Sequence, residues 1–181
     1  MRRAIFLDRD GVLNQAIVRN RRPFPPKTLA EFQILDGAQE ACRDLHQAGF
    51  LLIVVTNQPD VARGLQSRQT IETFHRTLRD RIPLDDILAC FHDDLDNCPC
   101  RKPKPGLIIE AAKRWEINLK RSFVVGDRWR DVDAGRGAGC KTVLIDYDYD
   151  EVKPLADYVT ISIVDAARWI LTQPEEPLPC R

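Results

Sequence analysis

The stretch AIFLDRDGVLN, Ala4 to Asn14, decides the architecture. Four apolar residues, Ala4-Ile5-Phe6-Leu7, run without interruption and then meet Asp8, Arg9 and Asp10. An unbroken apolar run of this length suits a strand buried on both faces, as in a parallel sheet covered by helices. Leu51 to Val55 repeats the signal more strongly, Ser122 to Val125 and Thr142 to Ile145 read the same way, and Ile87 to Phe91 is a weaker fifth strand. Amphipathic stretches lie between and after them. Gly37 to Ala48 puts Ala38, Ala41, Cys42 and Leu45 on one face and stops at Gly49. Ser67 to Arg81 opens at a cap, Ser67 or Thr70, and Gly106 to Trp115 turns Leu107, Ile108, Ala111, Ala112 and Trp115 inward. Arg130 to Gly137 and Val164 to Thr172 supply two more helices. Strands alternating with helices predict one doubly wound α/β domain with a mainly parallel sheet over 1–172, followed by a tail at 173–181. Asn14 to Asp36, with Pro23, Pro25 and Pro26, reads as a long irregular connection, and such loops in compact domains are usually functional.

Composition narrows the partners. Lys plus Arg and Asp plus Glu each number 27 in 181 residues, so the formal charge is zero. A neutral chain has no bulk electrostatic reason to seek nucleic acid or an anionic membrane. The first residues are too charged for a signal peptide, and no stretch approaches the ~20 apolar residues of a membrane span. The expectation is a cytoplasmic monomer whose thiols stay reduced.

In a doubly wound sheet, ligands bind in the crevice beyond the carboxyl ends of the strands. Four polar clusters fall at such ends: Asp8-Arg9-Asp10-Gly11, Thr56-Asn57-Gln58, the Cys90 loop with Arg101-Lys102, and Gly126-Asp127-Arg128 running on to Asp131. Most Asp-x-Asp pairs are solvated turns, but Asp8 sits at the mouth of a buried strand. Asp8 and Asp10, joined by Asp127, could hold Mg²⁺ through a few oxygens while water fills the remaining positions. Thr56 and Lys102 could steady a transferring phosphoryl group with a hydroxyl hydrogen bond and a positive charge. An aspartate can attack phosphorus, and a second carboxylate two residues on can serve as general acid and base.

Three of the six cysteines and one of the three histidines crowd into CFHDDLDNCPC, Cys90 to Cys100. Cys90, His92, Cys98 and Cys100 are four ligands of the kinds zinc prefers, in a loop short enough to close round one ion. Four protein ligands leave no open position, which makes the site structural. A Cys98–Cys100 disulfide is the alternative, with strained geometry across a one-residue gap. Pro103 and Pro105 stiffen the exit, so closing the loop would fix where Arg101 and Lys102 emerge.

These motifs together resemble the haloacid-dehalogenase-like (HAD) phosphatases. Phe6 to Asn14 matches the hallmark of that family, Thr56 closes the second strand, a lysine follows, and Gly126 to Asp131 forms GDxxxD. Within the family the chain is similar to the small capless branch of heptose-bisphosphate and histidinol-phosphate phosphatases, which carries the same Cys-x-His…Cys-x-Cys order. The resemblance implies Asp8 as nucleophile and Asp10 as general acid and base. It implies Mg²⁺ held by the carboxylates of Asp8 and Asp127 and the backbone carbonyl of Asp10, with Asp131 orienting the shell. Thr56 and Lys102 would hold the phosphoryl group, Arg101 and Asn57 would touch substrate, and Arg128 stands where a substrate-contacting Lys is usual. A structural Zn²⁺ at the cysteine loop completes the expected cofactors.

The substrate expected from the resemblance is a small phosphorylated sugar. Asn57-Gln58 with Val61-Ala62-Arg63-Gly64, and the Arg101 to Gly106 run, look like the heptose-bisphosphate group. The five-residue gap between His92 and Cys98 looks like the histidinol group, and the element after the first motif lacks the usual Gly-Tyr. Arg63 and Arg101 tip the balance, because a distal phosphate needs cations. Histidinol phosphate, a polynucleotide 3′-phosphate and a non-catalytic phosphate-binding module are the alternatives. Arg19, Arg21 and Arg22 read as a solvated run in which at least one side chain could reach a second phosphate. His46 and His75 read as surface or satisfied helical residues. Cys42 and Cys140 read as small core residues, Cys180 as an incidental thiol in the tail, and Trp115, Trp129 and Trp169 as packing.

Overall fold

A computed structural model describes residues 1–174, so the expected tail and Cys180 lie almost wholly outside the described residues. The chain builds β1 (Ala4–Leu7), β2 (Ile17–Arg19), β3 (Arg22–Phe24), α1 (Ala38–Gln47), β4 (Leu51–Asn57), α2 (Arg68–Arg79), β5 (Asp86–Cys90), α3 (Gly106–Trp115), β6 (Phe123–Gly126), α4 (Trp129–Ala138), β7 (Lys141–Ile145), β8 (Tyr158–Thr160) and α5 (Ile163–Thr172). Six strands form one sheet in the order β5-β4-β1-β6-β7-β8, all neighbours parallel. The chain runs outward from β1 in both directions, so β1 is the switch point where a crevice opens between diverging connections.

The unbroken apolar strands follow from the two covered faces, because successive side chains point to opposite sides. Ile5 and Leu7 join Leu52, Val54, Phe123 and Val125 in a core under α1, α2 and α5. Ala4 and Phe6 join Leu51, Ile53, Val55 and Val124 in a second core under α3 and α4. Ile5, Phe6 and Leu7 are fully buried, and each side chain contributes about 1.5–3 kcal/mol of transfer free energy. Ser67 caps α2 as expected, accepting from the Thr70 N–H at 3.0 Å. Among the described residues, no helix is long and apolar enough to cross a membrane.

Two expectations need correction. The connection after β1 is not wholly irregular: β2 and β3 pair antiparallel through a turn in which Asn20 and Arg21 both have positive φ. Three-residue strands with a proline at Val18↔Pro23 give too little alternation to read in sequence. This hairpin is the only strand structure inserted between β1 and α1, so no cap domain stands there among the described residues. The second correction concerns His75. It is 8% exposed on the inner face of α2 and its Nε2 has no partner, so it is neither a surface nor a satisfied residue.

Burial of the His75 imidazole, with the cations of Arg9 and Arg79 nearby, pushes its pKa down from 6.5 to about 4. The folded state therefore refuses a proton that the unfolded chain accepts below pH 6.5. Stability should fall as pH drops from 6.5 towards about 4, by on the order of 3 kcal/mol from this residue alone. Urea unfolding at pH 7 and pH 4.5 should show a smaller loss in His75→Leu than in the wild type; an equal loss would place the titrating group elsewhere.

Candidate active site

The site is built where β1 ends. The Asp8 N–H donates to the Val125 carbonyl at 2.9 Å, which continues the ladder one residue past β1. The chain then folds back on itself: the Arg9 carbonyl accepts from the N–H groups of Leu13 at 2.9 Å and Asn14 at 3.1 Å. This tight turn puts Gly11 at φ +88, where an added Cβ would lie 2.0 Å from Asp127 Oδ2. Glycine is needed there for both its conformation and its lack of a side chain.

Asp8, Asp127 and Asp131 bring carboxylate oxygens within 4.8 Å of one another. Lys102, 3% exposed, reaches into the cluster. Its Nζ pairs with Asp8 Oδ1 at 2.6 Å and Asp131 Oδ1 at 2.5 Å, and donates to the Val55 carbonyl at 2.7 Å. Three carboxylates against one ammonium leave two negative charges in a buried place. Burial, with the charges of Asp131 and Asp10, pushes the Asp8 pKa up to about 6 against the pull of Lys102. Burial and the charges of Asp8 and Asp131 raise Asp127 well above the usual carboxylate range. Asp127 Oδ1 is buried with no hydrogen-bond partner. A divalent cation supplies the missing charge and the missing partner, so the donor set fits Mg²⁺. Asp131 has both oxygens engaged, one by Lys102 and one by the Arg128 N–H at 3.1 Å, which suits an outer role.

Asp10 is held differently. Arg9 donates to it from Nε at 3.2 Å and Nη2 at 2.8 Å, Asn14 Nδ2 at 2.9 Å, and Gln58 Nε2 at 3.0 Å. Burial would raise its pKa, but the Arg9 cation and these bonds hold it below the usual range. Arg9 is itself fully buried, its guanidinium 5.5 Å from the Phe74 ring and 5.9 Å from Phe32. Gln58 Nε2 also reaches Thr56 Oγ1 at 2.9 Å, which fixes the hydroxyl as its acceptor and leaves the hydroxyl hydrogen free to donate. Asn57 donates to the Lys102 carbonyl at 3.0 Å and accepts from the Lys102 N–H at 3.1 Å. Its amide staples the lysine in place, and Asn57 also lines the cleft with a second amide hydrogen to spare.

Asp8, Asp10, Asn57, Lys102, Asp127 and Asp131 line a cleft of about 500 Å³, together with Arg19, Lys27, Arg63, Arg101, Arg128 and Arg130. The cleft-facing arginines are braced by acids. Arg63 donates to both oxygens of Asp93, Arg101 to Asp94 at 2.8 Å, and Arg128 to Glu151. Of the early basic run, Arg19 lines the cleft, whereas Arg21 and Arg22 pair outside it with Asp148 and Asp150. Trp129 begins α4, with the Arg130 guanidinium 4.8 Å from its ring centroid.

Beside the cleft, the four loop ligands converge. Cys90 Sγ lies 3.5 Å from His92 Nδ1 and 3.6 Å from Cys98 Sγ, and Cys100 Sγ lies 3.3 Å from each of the other three. A bond of roughly 2.3 Å to a central zinc sets tetrahedral edges of roughly 3.8 Å, so the donors are near their places. The thiols are free, and their separations far exceed the roughly 2.05 Å of a disulfide.

Sequence reasoning missed several residues at this site. Arg9 and Asn14 lie inside the opening motif, where their burial could have been suspected. Gln58 reads in the sequence as one of a polar trio at a strand end, with nothing to mark it as a partner of Asp10. Tyr149 gave no local signal; its hydroxyl donates to Asp127 Oδ2 at 3.0 Å across a gap of 22 residues in sequence.

Purified protein should carry about one equivalent of zinc by elemental analysis. Cys98→Ser should lose that zinc and lower the thermal midpoint, because a structural zinc contributes folding free energy outright. A variant that keeps the wild-type midpoint would overturn the structural role of this loop.

A family model described as HAD-hydrolase-like matches residues 99–166. The D-glycero-β-D-manno-heptose-1,7-bisphosphate 7-phosphatase of Pasteurella multocida is 39% identical, over 94% of this chain and 97% of its own. That of Haemophilus influenzae is 37% identical, over 93% and 96%. The crystal structure of D,D-heptose 1,7-bisphosphate phosphatase from B. bronchiseptica, complexed with magnesium and phosphate, superposes with a TM-score of 0.81 at 32% identity, covering 93% of this chain and 98% of that one. With the carboxylate-lysine cluster at the switch point and these relatives matching along nearly the whole chain, the protein belongs to the HAD-like phosphatase family.

Proposed function

We propose that the protein is a Mg²⁺-dependent phosphatase that removes the 7-phosphate of D-glycero-β-D-manno-heptose 1,7-bisphosphate through an aspartyl phosphate on Asp8. The observation that carries the chemistry is the Asp8 carboxylate, held 2.6 Å from Lys102 Nζ at the floor of an arginine-rimmed cleft. The substrate rests on the relatives, which match at 33–39% identity over most of the chain, and on the rim, which offers cations to a second phosphate.

Asp8 attacks phosphorus with one carboxylate oxygen, and the bond from phosphorus to the sugar oxygen breaks. Lys102 neutralises charge on the transferring group, and the Thr56 hydroxyl donates to it. Mg²⁺ bound by Asp8, Asp127 and the Asp10 carbonyl would neutralise further phosphoryl charge and relieve repulsion between nucleophile and substrate. Asp10 in its acid form gives its proton to the leaving oxygen, and the carboxylate that remains takes a proton from water as that water attacks phosphorus, which releases phosphate, restores Asp8 and returns Asp10 to the acid form. Arg9, Asn14 and Gln58 keep Asp10 apart from Asp8, so two carboxylates two residues apart perform different work.

With no cap domain among the described residues to close over it, the cleft relies on its loops for selectivity. Arg63, Arg101, Arg128 and Arg130 are placed to hold the distal phosphate. Zinc at Cys90, His92, Cys98 and Cys100 would fix the loop that carries Arg101, and reduced thiols there accord with a cytoplasmic protein.

Phosphate release with Mg²⁺ should be compared across both heptose 1,7-bisphosphate anomers, histidinol phosphate and a 3′-phosphorylated oligonucleotide. We expect kcat/KM for the β anomer to exceed the others by more than tenfold, about 1.4 kcal/mol of transition-state preference. Preference for histidinol phosphate would overturn the substrate and leave the chemistry intact. Asp8→Asn should abolish turnover, and Asp10→Asn should lower kcat by roughly 10²–10⁴-fold while the substrate still binds. Turnover by Asp8→Asn would refute the covalent route.

A further inference from the structure

The connection between β7 and β8, residues 146–157, runs beside the carboxylate cluster. It sends Tyr149 inward. The side chain is 7% exposed, and its hydroxyl donates to Asp127 Oδ2 at 3.0 Å. The same oxygen rests against Gly11, where even a Cβ would collide at 2.0 Å. Oδ2 is thus fixed from two sides, by a donor and by a backbone with no side chain. Oδ1, the other oxygen of that carboxylate, is buried with no partner.

From this arrangement we infer that Tyr149 is a positioning residue for the metal: by occupying Oδ2 it leaves Oδ1 of Asp127 as the single metal-facing oxygen. The inference rests on Asp127 being a Mg²⁺ ligand. A carboxylate with both oxygens free can rotate or chelate through both; one clamped at a single oxygen offers the other at a fixed place. Mg²⁺ demands near-octahedral geometry and tolerates such misplacement poorly, and outer partners of metal ligands typically govern 10–100-fold in affinity.

The loop is built to hold this hydroxyl still. The Tyr149 ring packs against Tyr147 at 5.7 Å between centroids. Glu151 accepts from Arg128 Nε at 3.1 Å. Arg21, in the β2–β3 turn, donates to the Asp148 carboxylate at 2.7 Å, and the Asp150 N–H donates to the Arg21 carbonyl at 2.9 Å. The clamp on Asp127 is therefore tied at its far end to the hairpin that lines the cleft.

The test is Mg²⁺ binding to Tyr149→Phe by calorimetry, with no substrate present, at a temperature where circular dichroism shows both metal-free proteins folded. We expect a Kd for Mg²⁺ raised 10–100-fold, and the Mg²⁺ concentration giving half-maximal phosphate release raised by a similar factor. A Kd within twofold of the wild type would overturn the inference. So would a loss of activity that persists at every Mg²⁺ concentration with binding unchanged, because that would make Tyr149 a residue of the cleft and not of the metal. Arg21→Ala, which loosens the far tether without touching Asp127, should shift the Kd less than Tyr149→Phe; an equal or larger shift would also count against the hydroxyl. Failure of the wild-type protein to bind Mg²⁺ at all would instead sink the reading of Asp127 as a ligand.

Discussion

One buried ammonium holds this site together. Lys102 stands between Asp8 and Asp131, with Asp127 close by, and nearly everything else at the sheet edge serves that group of charges. Taking four ionisable groups out of water costs far more than any surface pair returns, so such a cluster persists only if each charge is matched and hydrogen-bonded. The lysine matches part of the acid, the Val55 carbonyl takes one of its hydrogens, and the Asn57 amide fixes its backbone. What is left over is negative charge and an unpartnered oxygen on Asp127, which is the demand a divalent cation meets.

The two aspartates of the opening motif stand in different surroundings. Asp8 is buried and Asp10, two residues on, is half-buried, and their pKa values move in opposite directions. Asp8 is desolvated among other acids. Asp10 faces a buried arginine, itself boxed by Phe32 and Phe74. β1 ends at Leu7, and the tight turn that follows, in which the Arg9 carbonyl accepts from Leu13 and Asn14, sets Asp10 against Arg9, Asn14 and Gln58 while Asp8 keeps Lys102.

A shallow site on an open sheet must obtain selectivity from its rim. Here the rim arginines are paired with acids, Arg63 with Asp93, Arg101 with Asp94 and Arg128 with Glu151. Pairing costs them some attraction for a distant anion but removes the entropy of ordering long side chains when a ligand arrives. The four-ligand loop works to the same end. Cys90 ends β5, and Cys98 and Cys100 sit just before Arg101 and Lys102, so closing the loop sets where both cations leave the backbone.

The amino-acid sequence alone determined the parallel sheet, since the apolar runs at 4–7, 51–55, 122–125 and 142–145 can be satisfied only by burial on both faces. It also marked the polar clusters at the strand ends and the four side chains that converge in the cysteine loop, because those residues lie within short, ordered spacings. The tertiary structure decided what depends on distant pairing. The β2–β3 hairpin and the edge strand β8 carry three residues each, too few for a period to show. His75 looked like any polar helical residue until α2 was packed against the sheet. Tyr149 on Asp127 and Asp93 on Arg63 join residues far apart in the chain, and nothing near either partner announces the other. Local chemistry is written in adjacent letters; which charge meets which donor is settled only when separate strand ends arrive at one edge.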